Sequence, residues 1–318
     1  MAVLGTNVSP GLSVTISLLR IGTRSSPLAQ WQANWVAERL RQQGVASELV
    51  EIVTSGDTQQ SGPVAALGLQ GVFTKEIQTA ILDGRVDVAV HSLKDLPTER
   101  VAGLTVAAVP PRAVASDALV THVAGTLEAL PEGARVGTGS LRRQAQLKYL
   151  RPDLVITGIR GNVETRLSKL DAGEVDAVLL AAAGLQRLGL ESRIAELLEP
   201  PRMLPAVGQG ALGIDCHEEN VSVCELLSEL DDFSSRQATS AERSMLAQLH
   251  GGCSAPVGAW GRVQKGRLFL DGLVANLAGT QVLRASGSGS LAGAVAVGEQ
   301  VAQQLLAQGA AEIVAATR

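Results

Sequence analysis

Val86-Asp87-Val88-Ala89-Val90-His91-Ser92-Leu93-Lys94-Asp95 decides the fold. Its first five residues are rich in β-branched side chains and read as a strand over Val86–Val90. The strand ends in a polar segment that sets a cation beside an acid. Upstream, the apolar run Ser17–Ile21 passes through Gly22–Arg24 to Ser26-Pro27. Serine caps helix N-termini and proline suits the first turn, so a helix is predicted from there to about Gln43. Ser47–Val53 alternates like a strand. Thr58–Gly71, rich in Gly, Gln and Ala and carrying Pro63, reads as a long mobile loop, and Thr74–Leu82 as a helix. Strand and helix alternate throughout, which predicts an α/β domain with a largely parallel sheet.

Pro110-Pro111 breaks this pattern, and it then restarts. Strands are predicted at Arg135–Gly137, Leu154–Gly158 and Ala177–Leu180, with helices at Ser140–Leu150 and Asn162–Leu170. Pro200, Pro201 and Pro205 close this second α/β unit. Gly208–Asp215 reads as a return segment plus a strand. A polar helix over Ser235–Leu249, strands near Val257, Leu268–Val274 and Val282, and a helix over 292–306 form a small third α+β domain. The expected boundaries are 15–110 plus 211–230, 111–210, and 233–318.

Composition narrows the function. Aromatic residues are only 2% of the chain and the formal net charge is −4, which argues against nucleic acid as a partner. The three cysteines, Cys216, Cys224 and Cys253, are too sparse for a disulfide framework, so a reducing compartment is expected. Residues 1–15 read as a loose leader without Lys or Arg and not as an export signal. No apolar run approaches the length of a membrane span. The expectation is a cytoplasmic protein with no membrane partner.

The informative pattern is where the cations fall. Open α/β sheets bind ligands at the carboxyl ends of their strands, beside helix N-termini. Arg24 precedes a helix start, and Lys94 follows a strand. Gly137-Thr138-Gly139-Ser140 joins a strand to a helix whose first turn holds Arg142 and Arg143. Arg160-Gly161-Asn162 repeats the arrangement, with Arg166 one turn on. A cation in a first helical turn opposes the helix dipole at a cost of roughly 0.3–1 kcal/mol. Any one of them reads as a solvated side chain. The repetition reads as a cleft for several carboxylates or phosphates.

Gly137–Ser140 is too short for a P-loop and does not match the dinucleotide fingerprint, so no nucleotide is expected. Asp95 reads as the one acid in this cluster. A carboxylate among cations stays ionised, which suits it to stabilise a developing cation or hold N–H donors. A structural ion pair is an equal alternative on the residues alone. Cys253 sits between glycine and serine in Gly251-Gly252-Cys253-Ser254, a tight exposed loop that suits a reactive thiol. Cys216 and Cys224 read as core residues. The four histidines show no metal spacing, so no metal is expected.

These segments carry a resemblance. Arg20-Ile-Gly-Thr-Arg-Ser-Ser-Pro-Leu-Ala-Gln30, Val90-His-Ser-Leu-Lys-Asp-Leu-Pro97 and Val136-Gly-Thr-Gly-Ser-Leu-Arg-Arg143 resemble motifs of the porphobilinogen deaminases. So do Ile159-Arg-Gly-Asn-Val-Glu-Thr-Arg166, Ala182-Ala-Gly-Leu-Gln-Arg187, Leu204-Pro-Ala-Val-Gly-Gln-Gly210, Glu242-Arg243 and Gly251-Gly-Cys-Ser-Ala-Pro256. The match is collinear from about Arg20 to the C-terminal helix.

The resemblance implies three domains: two lobes like those of periplasmic binding proteins around a cleft, and a small third α+β domain. It implies a dipyrromethane attached to Cys253 through a thioether. On that primer, four porphobilinogen molecules condense with loss of ammonia, and hydrolysis releases hydroxymethylbilane. Asp95 would hold pyrrole N–H groups and stabilise the cationic intermediate. Arg24, Lys94, Arg142, Arg143, Arg160, Arg166 and Arg187 would bind the acetate and propionate side chains. Ser26, Gln30, Ser92, Thr138, Ser140 and Gln209 would add contacts. The chain departs from the family at Ala66 and Gln70, where lysines are usual, at Gly139, where serine is common, and at Thr157, where some members have arginine. A monomer is expected. Two rivals remain from the residues: a two-lobed binding protein for a small polycarboxylate without chemistry, and a phosphate-handling transferase using Gly137–Ser140.

Overall fold

The structure is a computed structural model that describes residues 18–54, 74–250 and 255–317. The leader, the loop over Thr58–Gly71 with Ala66 and Gln70, and the segment Gly251–Ser254 with Cys253 lie outside the described residues.

The first lobe begins with β1 (Leu19–Thr23) and α1 (Pro27–Gln42). Ser26 caps α1, its hydroxyl accepting from the Ala29 amide, and Pro27 opens the first turn as the sequence predicts. β2 (Ser47–Glu51), α2 (Lys75–Leu82) and β3 (Val88–Ser92) follow. β3 runs into a single 3-10 turn, Leu93–Asp95, and then β4 (Leu104–Ala108). The chain next crosses to the second lobe. There lie β5 (Asp117–Thr121), β6 (Arg135–Gly137), α3 (Leu141–Leu150), β7 (Val155–Thr157) and α4 (Val163–Asp171). β8 (Ala177–Ala181), α5 (Ala182–Arg187) and β9 (Glu196–Leu198) complete it. The chain returns through β10 (Leu212–His217) and α6 (Val221–Ser228).

The two sheets share one plan. Their strand orders are β2-β1-β3-β10-β4 and β7-β6-β8-β5-β9. In each, four of the five strands point the same way, and the strand arriving from the other lobe lies antiparallel between two of them. The sheets are therefore largely parallel, as the sequence alternation predicts, but mixed, each with one reversed strand. The two strands that cross between lobes, β5 and β10, cause the difference, since apolar patterning carries no strand direction.

The third unit holds α7 (Phe233–Gln248), β11 (Val257–Gln264), β12 (Arg267–Ala275), β13 (Val282–Gly289), α8 (Ala294–Ala307) and α9 (Ala310–Ala315). Its three strands form an antiparallel meander packed on α7 and α8. Met245, Leu270, Val301 and Leu305 fill its core.

Buried polar clasps fix this unit to the lobes. Glu242 of α7 is fully buried and receives the Arg112 guanidinium at 2.6 Å. It also accepts from the amides of Gly208 and Gly261, each at 2.7 Å. One carboxylate thus joins both interlobe crossings to β11. Arg243 donates to the carbonyls of Leu96 and Pro97 at 3.1 and 2.6 Å, so the third unit also braces the turn that carries Asp95.

Candidate active site

Strand ends and helix starts from both lobes converge on one cluster. The 3-10 turn after β3 places Lys94 and Asp95 there. The Leu93 amide donates to the Ala211 carbonyl at 3.0 Å, which ties the turn to the start of β10. From the second lobe come Arg142 and Arg143 on α3 and Arg166 on α4. The fields of these groups overlap. Lys94 feels Asp95, Arg143, Asp117 and Arg142. Arg166 feels Arg143 and Asp95, and His91 links Asp95 with Arg24.

Asp117 is the group the sequence reading missed. It opens β5, is fully buried, and binds both first-turn arginines of α3. Arg142 reaches it at 2.6 Å and Arg143 at 2.8 Å. Burial alone would raise the Asp117 carboxyl, but the two guanidinium charges and their hydrogen bonds outweigh it and hold it well below the carboxylate range. Arg142 and Arg143 also donate to the carbonyls of Leu204 and Leu179. Asp95 is therefore not the only acid in the cluster, as the sequence suggested. The only local clue to Asp117 was an acid heading the apolar run Ala118–Val120.

Removing Asp117 strands two buried cations. Asp117→Ala is expected to cost about 3–5 kcal/mol, the usual penalty for breaking a buried pair from one side. A denaturant titration of the variant reads this directly. Because the folded carboxyl is held low, its contribution is present above the ordinary carboxylate range. It is lost only as pH falls well below that range.

Several polar groups already have structural partners. Ser26 and Ser140 cap α1 and α3, and the Thr138 hydroxyl accepts from the Ser140 amide at 3.2 Å. Ser92 accepts from Gln32 at 2.9 Å, and Gln30 donates to the Arg24 carbonyl at 3.2 Å. Gln209 donates to Asp117 at 2.9 Å and to the Ala115 carbonyl at 2.6 Å. Arg187 lies over the Trp31 ring, 5.7 Å from its centroid, and donates to the Gly210 carbonyl at 2.8 Å. It therefore joins α5, α1 and the second interlobe crossing.

Other donors and acceptors are not spent. Arg160 Nη2, Arg142 Nε and Gln209 Oε1 are buried with no hydrogen-bond partner among the described residues. Such atoms carry a desolvation cost unless something completes them. Burial pulls Lys94 down to about 8, and Arg166 and Arg187 each to about 10. Desolvated cations with unspent donors suit anionic oxygens, and Asp95 beside them supplies one negative charge. Gly139 has the Ile159 carbonyl 2.9 Å from where a Cβ would sit. The backbone there has closed over the space a side chain would need.

A cavity of about 40 Å³ is lined by Lys94, Ser140, Arg142, Val207, Arg243 and Ala255, among others. Ala255 follows the segment Gly251–Ser254, so the chain leaves that segment at the cation cluster. Among the described residues, no cluster of His, Cys, Asp and Glu could hold a metal, and no helix is long and apolar enough to cross a membrane.

Comparison with known proteins bears on this site. A family model described as porphobilinogen deaminase, dipyromethane cofactor binding domain, matches residues 19–225. The C-terminal domain of the same family matches residues 237–307. A porphobilinogen deaminase from Syntrophotalea carbinolica is 47% identical over 302 residues, spanning 94% of this chain and 96% of that one. Among solved structures, a periplasmic substrate-binding protein of an ABC transporter from Coxiella burnetii aligns with a TM-score of 0.44 at 16% identity. It spans 71% of this chain and 96% of its own. The periplasmic VFT2 domain of Bordetella pertussis BvgS aligns at 0.40 with 14% identity, over 67% of this chain and 86% of its own.

Proposed function

The chain belongs to the porphobilinogen deaminase family, and from that premise we propose how its residues divide the work. It is a transferase of tetrapyrrole biosynthesis that condenses four porphobilinogen molecules into hydroxymethylbilane, with loss of ammonia, on a covalently bound dipyrromethane. When bound, the dipyrromethane supplies a covalent primer whose free pyrrole α-carbon is the nucleophile.

The residues of the cluster fit such a group. Each pyrrole of substrate and primer carries an acetate and a propionate, so a growing chain brings many carboxylates into one cleft. Arginine binds a carboxylate with two parallel hydrogen bonds and keeps its charge. The observation that carries this reading is Arg160, whose Nη2 is buried with no partner among the described residues. We assign Arg24, Lys94, Arg160, Arg166 and Arg187 to direct carboxylate binding. Arg142 and Arg143, already on Asp117, hold the field of the cleft, and Arg142 Nε adds one free donor. Ser26, Gln30, Ser92, Thr138 and Ser140 shape the walls through the contacts above. Gln209 Oε1 offers one acceptor.

Asp95 is the proposed catalytic residue. Its carboxylate accepts the pyrrole N–H and faces the positive charge that develops as the aminomethyl C–N bond breaks and ammonia leaves. Held by Arg24, Lys94, Arg160, Arg166 and Arg187, the primer would supply the carbon that bonds to this methylene, giving up one proton as it does so. A fixed negative charge in a desolvated cleft stabilises that cation without having to reorganise. Cys253 is the proposed anchor. The cavity shared by Ala255, Lys94 and Arg142 supports this, because it brings the chain beside Cys253 to the cation cluster. We further propose a cytoplasmic monomer. All the cations invoked come from one chain, and Cys216 and Cys224 are free thiols, as a reducing compartment favours.

Two outcomes test the division. Arg160→Gln is expected to raise KM for porphobilinogen roughly 10- to 100-fold, the worth of a charge-assisted hydrogen bond of about 1.5–3 kcal/mol. An unchanged KM would remove Arg160 from substrate binding. The second concerns pH. The folded Lys94 ammonium is depressed to about 8, so it is charged below that pH and loses its charge above it. Carboxylate binding should therefore weaken as pH rises through about 8. KM is expected to climb there in the parent enzyme and stay flatter in Lys94→Arg. Identical profiles would place the titration elsewhere.

A further inference from the structure

Two thiols lie apart from the site. Cys216 is on β10, fully buried among Val88, Val90, Ala108, Val223 and Leu227. Cys224 is half-buried on α6. Their sulfurs are 3.3 Å apart and in hydrogen-bond contact, and the Cys224 thiol also reaches the His217 carbonyl at 3.7 Å. The contact is held from both sides. The sheet ladder pairs Cys216 with Val88 on one neighbour and Thr105 on the other. The Asn220 side chain caps α6 through the Val223 amide at 3.3 Å. Only Glu218–Asn220 connects strand to helix, so neither sulfur can drift far from the other.

We propose that Cys216 and Cys224 form a reversible disulfide site, closed by exchange with a low-molecular-weight disulfide and reopened by a dithiol. Cys224 reacts first because it is half-buried whereas Cys216 is fully buried. Its thiolate attacks one sulfur of the small disulfide, that S–S bond breaks, and one small thiolate leaves and takes up a proton. Cys216 then attacks the Cys224 sulfur of the mixed disulfide, and the second small thiolate leaves with the remaining proton. Two protein thiols are oxidised to one disulfide, and one small disulfide is reduced to two thiols. Burial pushes the Cys216 thiol up, so closure is the slow step and quickens with rising pH.

The position fixes the consequence. Leu212, at the other end of β10, pairs with Ser92 beside the Lys94–Asp95 turn, whereas Cys216 pairs with Val88 toward the far end of β3. A bond there fastens α6 to the first sheet and leaves the cleft alone. It restricts the unfolded chain, so it stabilises the first lobe without changing turnover.

The test is incubation of the holoenzyme with oxidised glutathione, followed by alkylation, peptide mapping and a thermal melt. The expected result is a mass loss of two hydrogens and a peptide cross-linked between Cys216 and Cys224. The thermal midpoint rises, turnover is unchanged, and dithiothreitol reverses both the mass and the midpoint. Cys216→Ser should stop at a glutathione adduct on Cys224, and Cys224→Ser should show no two-hydrogen loss. Wild-type protein that keeps both thiols alkylatable, or that accumulates a lasting adduct on Cys224, overturns the proposal. The map reads these cysteines separately from Cys253, so the state of the cofactor anchor does not enter the result.

Discussion

Asp95→Ala is expected to lose nearly all turnover, a fall on the order of 10²–10³-fold or more, the range seen when a preorganised electrostatic contact is removed. The substituted side chain is the one acid assigned to the reacting nitrogen, and the other nearby acid, Asp117, is occupied by Arg142 and Arg143. The fold should survive. The turn is held by backbone bonds, Leu93 to Ala211 and Leu96 to Leu93, and by Arg243 on the Leu96 and Pro97 carbonyls. None of these uses the Asp95 carboxylate. Asp95→Asn keeps the shape and an acceptor but removes the charge, so it should also lose most turnover while KM changes little. An unaltered melting curve with retained turnover in either variant would overturn the assigned role.

Cys253→Ser is expected to be as severe for a different reason. Serine cannot supply the thioether sulfur, so the primer has no anchor and intermediates would dissociate between additions. Turnover should disappear although Asp95 and every cation remain. The variant should also melt at a lower temperature than the parent. The primer stays on Cys253 in both states, but its carboxylates would meet the cations of both lobes only in the folded one, which stabilises that state relative to the unfolded one. Activity in Cys253→Ser would move the anchor to another residue.

Much of this architecture was legible in the chain, because its signals are local. Ser26-Pro27, Ser140 and Asn162 mark helix starts through capping chemistry that needs only a few neighbouring residues. The cation cluster followed from the rule that strand ends face the cleft, which brought Lys94, Arg142, Arg143 and Arg166 together. What escaped was non-local. The direction of β5 and β10 depends on which lobe the chain has just left. The short strands β4 and β9 are fixed by pairing with these crossing strands, and their own sequence signals are weak. Asp117 is intelligible only beside arginines on a later helix, and Glu242 only beside Arg112 and the two glycine amides it serves. A buried charge announces itself through its partners, and those lie far along the chain.

Tetrapyrrole assembly on a primer held at Cys253 is readable as mass. The intact mass of the purified protein, measured beside that of Cys253→Ser, tests it most directly. An excess equal to one dipyrromethane in the parent, absent from the variant, and growing by pyrrole units on addition of porphobilinogen, is the predicted result. A parent mass equal to the bare polypeptide that stays there after incubation with porphobilinogen would contradict it.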